Sequence, residues 1–238
     1  MGVARKALRI IGVSHVDPEW FNRIQHEIRE SKPNVVAVEL CPQRLATLRR
    51  IEKGYCRSGL AFKIGGMIGL LIALLEKTAG EKTGVLPGSE MLTAIREAEN
   101  IKAAVEPIDQ PILITLQKLS IIPFWEKVKF MVDAIKAILS LVLISKNEIT
   151  RINTDEILKE FKTRYPNLHQ ILVEERNAYM AKRLKDILQQ TQGIVVAIVG
   201  LGHSTGIAEI MAKEGFSVEI STNPSYNQIQ AKLTPHHQ

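Results

Sequence analysis

Short runs rich in Val, Ile and Ala recur along this chain with amphipathic helical segments between them, and this alternation constrains the fold more than any other feature. The runs are 6–13 (KALRIIGV), 35–40 (VVAVEL), 103–109 (AAVEPID) and 193–199 (GIVVAIV). A strand with one wet face alternates polar and apolar residues, whereas near-continuous apolar runs belong to parallel strands buried on both faces. Parallel neighbours need crossovers, and the sequence supplies helical ones. Asp17 and Pro18 cap and start a helix continued by 20–30; others follow at 43–53, from Ser89 through 91–99, and at 168–191. A last strand is expected at 217–220. The fold class read from this pattern is α/β, a mostly parallel sheet flanked by helices. Residues 1–222 are read as one domain with a helical insertion or lid at about 111–165, and 223–238 as a polar tail.

Composition narrows the function. The 31 Lys and Arg against 25 Asp and Glu give a net +6, but the charges are interspersed and only 5% of residues are aromatic. Neither a basic tail nor a base-stacking platform is present, so no nucleic-acid partner is expected. Cys41 and Cys56 lack metal-finger spacing and read as free thiols of a reducing compartment. With no cleavage site behind the first apolar run, the expected location is the cytoplasm. Residues 60–75 (LAFKIGGMIGLLIALL) are too short to span a membrane and read as a buried helix. Residues 124–144 carry Glu126, Lys127, Lys129, Asp133 and Lys136, leaving Phe124, Val128, Met131, Ile135, Leu139 and Val142 as a stripe at helical spacing. That stripe is expected to pack on the domain, with a membrane-surface or partner contact as the alternative.

In an open parallel sheet, ligands bind beyond the carboxyl ends of the strands. Four strand exits carry His15, Glu39, Asp109 and His203, and both histidines follow glycine turns, Gly12-Val13-Ser14-His15 and Gly200-Leu201-Gly202-His203. Two imidazoles with one or two carboxylates suit zinc, manganese or cobalt, and such a cation would activate water for hydrolysis. A helix-capping role for each histidine is the simpler reading. Glu39 ends an apolar strand and needs a partner, for which Arg44 is the expected candidate. Glu90 is either a first-turn acid favoured by the helix dipole or a further site carboxylate. Cys41 reads as a buried thiol rather than a nucleophile.

Several of these segments together resemble the TraB family, which includes the pheromone-shutdown protein PrgY. The resemblance rests on Gly12-Val13-Ser14-His15, Glu39-Leu40-Cys41-Pro42-Gln43-Arg44, Pro87-Gly88-Ser89-Glu90-Met91, Ile108-Asp109, Glu175-Arg176-Asn177-Ala178-Tyr179-Met180-Ala181 and Gly202-His203-Ser204-Thr205-Gly206-Ile207, in order from about 10 to 220. It implies an α/β domain related to the Tiki, ChaN-like and erythromycin esterase-like proteins. It further implies a metal-dependent hydrolase of small peptides in which His15, His203, Glu39 and Glu90 hold a divalent ion (Mn, Co or Zn) or do the chemistry. Arg44 and Arg176 would be the supporting cations. Gln110 and Gln117 stand where the resemblance leads one to expect arginines. Many relatives continue into C-terminal transmembrane helices, so a membrane-associated form and oligomers are compatible with it.

Two other functions compete with that one. Gly200-x-Gly202-x-x-x-Gly206 between a strand and a helix, with Glu219 ending the next strand, is a loose dinucleotide fingerprint. The other is a non-catalytic peptide-binding or membrane-associated regulatory protein whose histidines are structural.

Overall fold

A computed structural model describes residues 7–13, 19–52, 78, 88–143 and 154–221. The described elements are β1 (Ala7–Val13), α1 (Glu19–Ser31), β2 (Val35–Val38), α2 (Pro42–Glu52), α3 (Ser89–Asn100), β3 (Ala104–Pro107), α4 (Ile112–Ser120), α5 (Phe124–Leu143), α6 (Thr154–Arg164), α7 (Pro166–His169), a π-helical turn (Gln170–Glu174), α8 (Glu175–Gln190), β4 (Ile194–Gly200), α9 (Leu201–Lys213) and β5 (Val218–Ser221). His15, Asp17, Pro18 and the 60–75 segment lie outside the described residues.

The strands form a five-stranded sheet in the order β3-β2-β4-β1-β5, with every pair parallel. The protein is therefore an α/β fold. The order reverses direction partway: β1, β2 and β3 run outward with a space left for β4, and the chain then returns through β4 and β5. Because crossovers are right-handed, reversing direction moves the connecting helices to the other face. One face is covered by α1, α2 and α3, where Trp20, Ile24, Leu45 and Ile95 meet Ile11, Val36, Val38 and Ile198. On the opposite face α8 and α9 bring Met180, Leu184, Ile207 and Met211 onto Ile10, Ala37, Ala197 and Val199. The alternation of side chains along each strand divides the apolar runs between these two layers.

The insertion forms a third, smaller core in which Phe130 and Ala134 of α5 meet Tyr165, Leu168 and Ile171. This corrects the sequence reading of α5. The expected buried stripe is largely exposed at Phe124, Ile135 and Leu139, and the helix buries Phe130 and Ala134 instead. With apolar residues on more than one side, its periodicity identifies a helix without saying which side finds partners. Likewise 168–191 is not one regular helix, because the π turn interrupts it. No helix among the described residues is long and apolar enough to cross a membrane.

The α1–α3 pair is locked by a charge. The Glu97 side chain is only 4% exposed and accepts two hydrogen bonds from Arg29, at 2.6 Å (Nε) and 2.9 Å (Nη2). These bonds, with the guanidinium's charge, hold the Glu97 carboxyl below its ordinary range. Its unfolded form takes up a proton at higher pH than its folded form, so the stabilisation is complete above pH ~4.5 and is lost as pH falls further. Arg29→Ala, which takes two hydrogen bonds from the Glu97 carboxylate, should destabilise the fold at neutral pH. Urea unfolding at pH 7 and near pH 3 checks this, with the difference between variant and parent shrinking at the lower pH.

Candidate functional site

The carboxyl edge of the sheet gathers charge at the strand exits. Parity along β2 sends Val35 and Ala37 to the α8/α9 layer and Val36 and Val38 to the other. Glu39, the next residue, continues the first set, and its side chain meets α8 and α9. Its Oε1 accepts a hydrogen bond from Arg176 Nη2 at 2.5 Å and stands 3.4 Å from His203 Nε2. Its Oε2 accepts from the Gly200 backbone N–H at 2.6 Å. Gly200 is the N-cap of α9, so the carboxylate sits where a helix N-terminus favours an anion.

Arg176 binds the exit of β3 as well, donating from Nε to Asp109 Oδ1 at 3.0 Å and from Nη2 to Asp109 Oδ2 at 2.9 Å. Burial would lower the guanidinium's pKa, but the two carboxylates outweigh that and hold it above its ordinary value. Arg176 also donates from Nη1 to the carbonyl of Leu172 at 3.3 Å, within the π turn that precedes it. Lys118 of α4 pairs with Glu175 at 2.6 Å beside it. The neighbouring Gln110 donates its side-chain amide to Thr115 Oγ1 at 2.7 Å, where the resemblance had suggested an arginine.

Arg44 is not the partner of Glu39. It is exposed on α2, a helix whose buried Leu45 belongs to the opposite layer, while Glu39 faces α8 and α9. Sequence proximity favoured Arg44, but strand parity excludes it. Glu90 is 3% exposed in the first turn of α3, and Met91 beside it packs in the same opposite layer. Cys41 is a buried free thiol.

His203 is 7% exposed and differs from expectation in its setting. The Gly200–Gly206 stretch reads as a loop, because glycine weakens helices, yet α9 begins at Leu201 and His203 lies in its first turn. The ring is held from α8, with Nδ1 2.7 Å from Asn177 Oδ1. Asn177 belongs to the Glu175–Ala181 segment of the family resemblance, and no local pattern in the sequence marks its contact with His203. Gly12 of the first Gly-x-x-His motif explains how β1 joins this edge. A Cβ at Gly12 would lie 3.0 Å from both Leu201 Cδ2 and Ser204 Oγ, so the absent side chain lets α9 settle against β1. Gly12 pairs with Val199 and Val13 with Gly200, which puts the glycines that open the two motifs on adjacent strands one residue out of step. His15 itself lies outside the described residues.

Among the described residues no three His, Cys, Asp or Glu side chains converge as a metal would require. The dinucleotide alternative loses its footing, because Glu39 already takes the Gly200 N–H and Glu219 is bound by Arg9 at 2.9 Å.

Comparison with known proteins decides the family. The sequence matches the TraB/PrgY/gumN family over residues 3–220. This chain belongs to that family. An uncharacterized protein of Methanocaldococcus jannaschii is 31% identical over 89% of this chain and 55% of its own length. The mouse and human TraB domain-containing proteins are each 26% identical over 90% of this chain and 65% of their own length. The chain thus spans little more than half of the archaeal relative and under two thirds of the mammalian ones.

Replacing Arg176 by Met would leave Glu39 and Asp109 as uncompensated charges and should cost about 3–5 kcal/mol. Arg176→Lys should recover less than half of that, since a single ammonium cannot reproduce the bidentate contact to Asp109. Chemical denaturation of the three proteins checks both expectations.

Proposed function

We propose that this TraB-family protein hydrolyses small peptides, with His203 and Glu39 at its reacting centre. The observation that carries the reading is the buried imidazole whose Nε2 faces a carboxylate oxygen at 3.4 Å, at the sheet edge where α/β folds bind ligands. That distance also suits two ligands of one cation held about 2.0–2.2 Å from each. The donors are of the kind that zinc, manganese or cobalt accept, with His15, outside the described residues, as the further ligand the sequence offers, whereas Glu90 does not converge on this pair. A divalent cation bound there would supply Lewis acidity toward a carbonyl oxygen.

The remaining roles fall to the chain's own groups. His203, its Nε2 turned to Glu39, is placed to hold that cation, and Glu39, held at both oxygens by Arg176 and the Gly200 N–H, is fixed in place beside it. Arg176 balances the negative charge that Glu39 and Asp109 bring to the edge, and can meet the carboxylate of a peptide. Replacing His203 with Ala tests the cation. The parent protein should hold about one equivalent of divalent ion and, with ion at a hundred times its Kd, gain about 2.7 kcal/mol in thermal unfolding. The variant should lose both. A variant that keeps a full equivalent would refute the assignment.

A second reading, a peptide-binding protein working at a membrane surface, is favoured by α5. Trp125 is 78% exposed, next to exposed Phe124, and Ile135 and Leu139 continue the apolar surface. The helix's acids are occupied elsewhere: Glu126 accepts from Asn167 and the Leu168 N–H, and Asp133 from Arg164 and Tyr165. Exposed Lys129 and Lys136 lie on the same helix, a pattern suited to anionic lipid. On this reading the protein cosediments with phosphatidylserine vesicles and less with phosphatidylcholine ones. The double change Trp125→Ser and Leu139→Ser should reduce binding at least tenfold, and equal binding by parent and variant would exclude α5 as the contact.

A further inference from the structure

We propose that Asn177 is a positioning residue that sets the tautomer of His203, and that glycine at 206 is required to seat it. The inference rests on the hydrolase reading for its use, while its geometry stands apart from that reading. Asn177 Oδ1 is an acceptor with no hydrogen to offer, so the hydrogen of its buried 2.7 Å bond to His203 belongs to Nδ1. In the neutral ring the lone pair then lies on Nε2, the nitrogen 3.4 Å from Glu39 Oε1. With the hydrogen on Nε2 instead, two lone pairs would oppose each other at Nδ1 and Oδ1 in a buried site, leaving an acceptor unsatisfied. Asn177 thus selects which nitrogen is presented to the carboxylate. A lone pair and a carboxylate oxygen at that separation attract only when a proton or a cation lies between them. The ring is therefore arranged to receive one at Nε2.

The second observation is steric. A Cβ at position 206 would lie 2.3 Å from Asn177 Nδ2 and 3.2 Å from its Cγ. Gly206 is not among the residues with positive φ, so the site needs glycine for room rather than for backbone conformation. A glycine inside a helix is less favourable than Ala by about 1 kcal/mol, and here the close approach of α8 to α9 accounts for it. The last glycine of the apparent dinucleotide fingerprint is thereby explained without a nucleotide.

Histidine 15N spectra of the metal-free protein, labelled at its imidazoles and assigned with His203→Gln, provide the test. The parent should show His203 with a hydrogen on Nδ1, and with Nε2 bare wherever the ring is neutral. Asn177→Leu should lose that signature, and Asn177→Asp, which keeps the acceptor, should retain the Nδ1 hydrogen. Gly206→Ala, which does not touch the ring, should lose the signature as Asn177→Leu does. A parent protein whose His203 carries hydrogen on Nε2 and none on Nδ1 overturns the proposal whether or not the variants fold. So does an Asn177→Leu spectrum identical to the parent's. Since no turnover is measured, an inactive protein with the expected tautomer would count against the hydrolase reading and leave this inference standing.

Discussion

The carboxyl edge of the sheet is organised by one guanidinium between two carboxylates. A charge withdrawn from water is tolerated only when it is paired and its hydrogen bonds are satisfied. Arg176 meets that condition by taking Glu39 from the exit of β2 and Asp109 from the exit of β3. Asp109 precedes the helical excursion through α4–α7, and Arg176, 67 residues later, follows it. The excursion therefore starts and ends at the same ion pair. With Glu39 fixed in this way, its second oxygen reaches the Gly200 N–H, and α9 begins where His203 falls beside it.

Space is the complementary constraint. Gly12 admits the start of α9 to β1, and Gly206 admits Asn177 of α8 to α9. A Cβ at either position would press on a side chain of the facing element, and each glycine lies in one of the motifs containing a histidine. In this family member the glycines and the polar residues do separate work: the first set brings the elements close, and the second then forms short hydrogen bonds across them. A TraB-family assignment carries the fold, while chemistry has to be argued from the site.

The strands β1, β2 and β4 were legible because they are buried on both faces, and such runs have little polar alternation to blur them, whereas the edge strands β3 and β5 are only part-buried. The strand exits were legible as the ends of the apolar runs, so Glu39, Asp109 and His203 could be named as residues of one edge. The identity of Glu39's partner was not. Arg44 is near in sequence, but a strand residue's direction depends on parity, and parity points Glu39 at helices that follow more than a hundred residues later. The exposed side of α5 is not legible in the sequence, because helical periodicity measures spacing and is silent about which apolar side meets Tyr165 and Leu168. The helical state of His203 was hidden by glycines whose purpose is tertiary.

Residue order alone was sufficient for the alternation of strand and helix, the parallel sheet, the family and the candidate residues at the strand ends, since all of these follow from hydrophobic pattern and local motif. The pairing of Arg176 with Glu39 and Asp109, the Asn177 contact to His203 and the choice of faces emerge only after folding. They depend on crossovers that bring α8 and α9 over the sheet, and no local pattern encodes the distance between groups so widely separated along the chain.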